Sequence, residues 1–140
     1  AETVYSPLIG TGEVDFLLAF EALESLRYLQ MLRPGATIIA DNHRIIPITV
    51  TDGSAGYPTE EAMNGWLRRV TPNVFWVPGM AMAEKMGNSR VANIVLLGFL
   101  AALLRMTDDV WHDAMARWVP GKVVALNKKA LAAGRALYEG

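Results

Sequence analysis

The chain has 140 residues, 52% hydrophobic and 19% charged, with a net charge of −1 and no cysteine. That composition describes a folded, rather apolar domain with a real core and excludes a disordered tail. It also excludes a basic field for nucleic acid, a thiolate nucleophile, disulfides and an iron–sulfur cluster held by these residues, and the two histidines, His43 and His112, lack the spacing of metal ligands.

Residues 14–20 (VDFLLAF) are almost continuously apolar and predict a strand buried on both faces, as in parallel sheets. Helical periodicity follows over 21–33, with Ala22, Leu26 and Leu29 on one side and Glu21, Glu24 and Arg27 on the other. Pro34-Gly35 is expected to stop that helix. Residues 36–40 (ATIIA) predict a second buried strand, so 14–40 read as a strand–helix–strand crossover. Residues 45–50 (IIPITV) are expected to be extended, on an edge or in a covering segment because of Pro47, and 51–58 (TDGSAGYP) to be flexible. Thr59 caps a helix whose face is Met63, Trp66, Leu67 and Val70, and 73–77 (NVFWV) predict a third strand.

From residue 80 the pattern is helical. A short helix over 80–86 ends at Gly87, and a long apolar helix follows with Gly98 in its middle. Glycine there costs about 1 kcal/mol relative to alanine, so close backbone approach is the expected reason for it. Thr107 is expected to cap a helix over 108–118 with Trp111, Met115 and Trp118 on one stripe. After Pro120-Gly121 a last helix aligns Val123, Ala130 and Leu137. The whole is expected to be an α/β fold of a single domain: a three-layer α/β/α sandwich with a mostly parallel sheet and a helical C-terminal half. The longest apolar run, 94–104, is shorter than the roughly 20 residues of a membrane span. Residues 1–8 lack a charged start followed by an apolar stretch, so the expectation is a cytoplasmic protein without membrane contact.

Two polar clusters stand out. Asn88, Arg90 and Asn93 open the long apolar helix, where free N–H groups and the helix dipole favour an anion. Capping by Asn88 and solvation of Arg90 account for the same residues without a ligand. Asp41-Asn42-His43-Arg44 follow the second strand at a carboxyl end, where Arg44 suits an anion clamp and His43 a proton donor, and where an ordinary polar loop is the plainer reading. Glu21 and Glu24 sit just after the first strand, as ligand groups or as solvated acids at a helix start. No nucleophile elbow, dinucleotide fingerprint or phosphate loop is present.

Several stretches in order resemble one family: VYSPLI (4–9), EVDFLLAFEALESLRYLQMLRPGATIIADNHRIIPI (13–48), GYP (56–58), MAMAEKMGNSRVANIVLLGFLAALL (80–104) and WVPGKVVALNKKALAAG (118–134). The chain resembles the gamma-type domain of 2-oxoacid:ferredoxin oxidoreductases, and within them the small (beta) subunit of the indolepyruvate enzymes. The resemblance begins at the Tyr-Ser-Pro-Leu-Ile segment, without the Gly-rich strand–loop–helix with which members of the family normally begin.

The resemblance implies an accessory subunit of a heteromeric enzyme that oxidatively decarboxylates a 2-oxoacid with coenzyme A and passes electrons to ferredoxin. It implies that a large (alpha) partner subunit carries thiamine diphosphate and [4Fe-4S] clusters, with no cofactor bound by this chain and no catalytic group in it. Ser6, Asn42, Arg44, Asn88, Arg90 and Asn93 are the residues expected near the shared ligand site or the interface. Two other readings stand beside it: a free-standing module that binds coenzyme A or an oxoacid without catalysis, and a purely structural assembly subunit.

Overall fold

A computed structural model describes residues 8–51, 53 and 56–140. The chain divides into two compact units, one of residues 1–40 and 44–75, the other of residues 41–43 and 76–140. Strands β1 (Val14–Ala19), β2 (Leu32–Asp41) and β3 (Val74–Val77) form one sheet in that order. β1 and β2 are parallel, with Leu17 opposite Ile38 and Ala19 opposite Ala40. The Ile38 amide donates to the Asn73 carbonyl (2.9 Å) and the Asn42 amide to the Val77 carbonyl (3.1 Å). The pairing advances equally along both strands, so β3 is parallel to β2 as well. The α/β class, the parallel sheet and the helical second half agree with the reading of the sequence.

In the first unit β2 is the buried strand, with Ile38, Ile39 and Ala40 all fully buried. β1 is not buried on both faces as expected: Asp15 and Phe16 are exposed, Val14, Leu17 and Leu18 half-buried, and only Ala19 is buried. The reason is its place at the sheet edge, where among the described residues it pairs with β2 alone. The expected helix over 21–33 is also absent. Two 3₁₀ turns, Leu23–Leu26 and Leu29–Met31, make the crossover instead. A 3₁₀ turn rises about 2.0 Å per residue against 1.5 Å for α, which suits a crossover shortened by the early start of β2. Pro34-Gly35 therefore lie within β2, not at a helix end. The register slips there, moving from Val14–Leu32 to Phe16–Thr37, and Gly35 takes φ +76°. This is a bulge with glycine in the left-handed region.

The segment 45–50 is not a strand. Ile48–Thr51 form one helical turn (α1), with the Thr51 amide donating to the Pro47 carbonyl at 3.2 Å. Within the segment expected to be flexible, positions 52, 54 and 55 lie outside the described residues. Helix α2 (Glu60–Val70) is capped as expected, Thr59 Oγ1 accepting from the Ala62 amide at 3.1 Å. Met63 and Leu67 are fully buried, whereas Trp66 is largely exposed. Thr71 Oγ1 donates to the Ala36 carbonyl at 2.6 Å and ties the end of α2 to β2.

The second unit is helical beyond β3: α3 (Gly79–Lys85), a 3₁₀ turn (Ser89–Val91), α4 (Ala92–Leu103), α5 (Asp108–Trp118) and α6 (Gly121–Glu139). Val95, Leu96, Phe99, Ala101 and Ala102 bury the shaft of α4, as its composition predicts. Gly98 lies against the Leu131 backbone of α6, and Gly134 of α6 lies against the Val95 carbonyl of α4, each leaving no room for a Cβ. Close approach is thus the reason for Gly98, and Gly134 is its counterpart. The buried face of α6 is Asn127, Ala130, Leu131 and Gly134, so Val123 and Leu137 are not its core stripe. Thr107 occupies the cap position of α5 without a side-chain bond to an amide. Met115 is buried, but Trp118 is 85% exposed and does not share its stripe.

Candidate functional site

In the first unit the polar groups gather where β1 ends. Glu21 follows that strand and is buried. Its Oε1 accepts from the Ile45 amide (3.1 Å) and the Tyr57 hydroxyl (3.0 Å), and its Oε2 from the Glu24 amide (3.0 Å). Desolvation, then the hydrogen bond and charge of Glu21, push the Tyr57 phenol up to about 12. The Arg44 guanidinium lies 5.9 Å from the centroid of the Tyr57 ring and pairs with Glu60 at 3.1 Å. A cavity of about 350 Å³ adjoins this cluster, lined by Leu17, Leu18, Ala19, Phe20, Glu21, Glu24, Tyr28 and Ile45. Glu21 is therefore neither a solvated acid nor a free ligand group. It is a buried brace that joins three points of the chain. Tyr57 is the residue that reading the sequence missed; the only signal was the Gly-Tyr-Pro triplet, which shows no partner.

In the second unit the corresponding group is Asp41, at the end of β2 and 1% exposed. Its Oδ1 accepts from the His43 amide at 2.9 Å and its Oδ2 from the Met80 amide at 2.8 Å. Burial raises its carboxyl above the ordinary value, outweighing the lowering effect of the His43 and Met80 amides. Gly79 leaves space for this carboxylate: a Cβ there would collide with Asp41 Oδ2 and Leu96 Cδ1. Asp41 thus anchors the start of α3 to the end of the sheet. Asn42, the next residue, is exposed.

The other predicted residues divide clearly. Asn88 and Arg90 lie at the 3₁₀ turn that leads into α4, and Asn93 in the first turn of α4; Asn88 is half-buried and the other two are exposed. Asn88 Oδ1 accepts from the Arg90 amide (3.0 Å) and Asn93 Oδ1 from the Ile94 amide (2.9 Å), so both asparagines act on local backbone while the Arg90 side chain is exposed. Arg44 belongs to the first unit, with Tyr57 and Glu60. Ser6 lies outside the described residues. Among the described residues no cluster of three metal-ligating side chains occurs. An iron–sulfur cluster requires thiolates, and these 140 residues contain none, so they do not fit such a group.

A family profile described as pyruvate ferredoxin/flavodoxin oxidoreductase matches residues 1–137. The chain belongs to this family. Within the oxidoreductase family it is 38% identical over 133 residues to the indolepyruvate oxidoreductase subunit IorB of Archaeoglobus fulgidus, covering 94% of this chain and 66% of that protein. It is 31% identical over 140 residues to the subunit of the same name from Pyrococcus horikoshii, covering 95% and 67%. The chain therefore spans about two thirds of the length of these relatives. Solved structures share the fold. The gamma subunit of a keto/oxoacid ferredoxin oxidoreductase from Geobacter sulfurreducens superposes with a TM-score of 0.63 at 22% identity, over 89% of this chain and 64% of that one. A 2-oxoglutarate:ferredoxin oxidoreductase from Magnetococcus marinus, solved with 2-oxoglutarate, coenzyme A and succinyl-CoA, superposes with a TM-score of 0.60 at 21% identity, over 96% of this chain and 21% of that one.

Proposed function

We propose that this chain is the accessory part of a heteromeric, indolepyruvate-type 2-oxoacid:ferredoxin oxidoreductase. The observation that carries the reading is the family match over residues 1–137 together with relatives named as subunits of that enzyme. In this reading a large partner subunit houses thiamine diphosphate and iron–sulfur clusters, the complex oxidatively decarboxylates a 2-oxoacid with coenzyme A, and ferredoxin takes the electrons. The protein works in the cytoplasm. The absence of cysteine supports placing the clusters elsewhere. The engaged state of Glu21 and Asp41 supports assigning this chain no catalytic acid or base. Its part is to pack against the large subunit and to present Ser6, Asn42, Arg44, Asn88, Arg90 and Asn93 at the shared site or interface.

The exposed apolar side of β1, with Phe16 and the nearby Ile9, supports a further element of the family domain covering that edge in the assembled enzyme. The test is reconstitution. A large subunit of an indolepyruvate-type enzyme is purified with and without this chain, and reduction of ferredoxin is followed with indole-3-pyruvate and coenzyme A. Activity that appears only with both supports the reading. Full activity of the large subunit alone, or oxoacid turnover by this chain alone, overturns it.

A further inference from the structure

Helix α5 carries an outward stripe that nothing among the described residues covers. Val110 is 54% and Trp118 85% exposed, and both Ala114 and Arg117 between them are exposed. Tryptophan is mostly buried in folded chains, and exposed aromatic and arginine groups on one patch mark interfaces. These residues recur at helical spacing, and with Asp113 they line one shallow groove in which Ala114 is the smallest side chain. Asp113 and Arg117 are one turn apart, yet the described ion pairs include neither. Elsewhere on the helix Met115 is buried and Asp108 pairs with Arg135 of α6 at 3.1 Å.

The stripe is complementary to itself. When two copies of α5 lie antiparallel about a two-fold axis, Asp113 of each faces Arg117 of the other, and both pairs form at once. The small Ala114 then lets the helices approach, and each Trp118 ring covers the groove of its neighbour. A parallel arrangement cannot bring both charge pairs together. We infer that the outward face of α5 is a homodimer contact, and that its partner is a second copy of this chain. The inference is independent of the catalytic reading above, because its readout is oligomeric state. One short helix from each copy offers less area than a standard interface of about 1,200–2,000 Å², so the dimer is expected to be weak and dependent on concentration.

Sedimentation of the chain from micromolar to submillimolar concentration tests it. The wild type is expected to shift from monomer to dimer, and Trp118→Ala to raise the dissociation constant at least about tenfold. Asp113→Arg and Arg117→Asp each place like charges opposite one another and are expected to abolish the shift. Mixing the two single variants, or combining both changes in one chain, restores the charge pairing and is expected to restore the dimer. Circular dichroism checks that each variant is folded. A wild type that stays monomeric overturns the inference. So does a dimer indifferent to the three single changes, or single variants that the mixture fails to rescue, as occurs if this face docks on a different protein.

Discussion

The α4–α6 crossing and the β1 edge are both rich in apolar residues, yet one is closed and the other open. At the crossing, Gly98 and Gly134 bring two helix backbones into direct contact, and Val95, Leu96, Phe99 and Leu131 are buried around them. At the edge, β1 has a partner on one side only among the described residues, and Phe16 and Phe20 remain exposed. What fixes the end of β1 is polar: the Glu21 carboxylate with its two amides and the Tyr57 hydroxyl. Apolar sequence is therefore no measure of burial here. A helix pair within one unit closes on itself, whereas a strand edge needs an additional element.

The largest effect is expected at the crossing. Gly134→Ala puts a methyl group into the Val95 carbonyl, and both neighbours are backbone, so neither side can yield cheaply. Overpacking costs about 1–3 kcal/mol, and two backbone neighbours put this change at the upper end, read as a fall in the urea midpoint; an unchanged midpoint breaks the account of the crossing.

Asp41→Ala comes next. It strands the part-buried His43 and Met80 amides, at a cost of about 1–3 kcal/mol. Asp41 also carries a pH signature. Its carboxyl is raised from the ordinary value of 3.8 in the folded chain, so the folded state holds this proton more tightly than the unfolded state does. The stability from Asp41 is therefore greatest below that value and declines as pH rises through the raised one. The stability of the wild type relative to Asp41→Asn, measured by denaturation across that window, is expected to fall with rising pH; a flat difference counts against the buried, ionisable reading.

At the end of β1, Tyr57→Phe removes one donor to Glu21 and is expected to cost about 1 kcal/mol. Because the phenol is raised to about 12, its contribution to stability is fully present below pH 10, its ordinary value, and is lost as pH rises from there through the raised one. Absorbance titration should lose its latest phenolate component in Tyr57→Phe. If the latest component survives, the bond to Glu21 is wrongly assigned.

The smallest stability effect belongs to Arg44→Ala, since its pair with Glu60 is partly exposed and such pairs contribute about 0.2–1 kcal/mol. A reconstituted enzyme that loses activity with this substitution while the melting point stays within a degree or two places Arg44 at a shared site. Unchanged kinetics and assembly remove Arg44 from the candidates.

Much of this molecule was legible in its residues. The runs ATIIA and NVFWV are strands because short, β-branched and apolar segments bounded by turns have few alternatives. The Thr59 cap, the stop at Gly87 and the purpose of Gly98 follow from local rules of hydrogen bonding and size. The crossover over 21–33 defeated the same rules. Its apolar spacing fits an α-helix, but the early start of β2 left a short span that 3₁₀ turns cover more readily.

The sequence by itself determined the class of fold, its three strands, the helical second half and the family, because these depend on patterns read along the chain. Only the tertiary structure decided that Glu21 and Asp41 are buried braces, that Tyr57 completes one of them, that β1 is an open edge and that Trp118 faces outward. Each of those facts depends on which distant residues share a place. A hydrogen bond between Glu21 and Tyr57 spans 36 positions of sequence, and no local pattern encodes a contact at that separation.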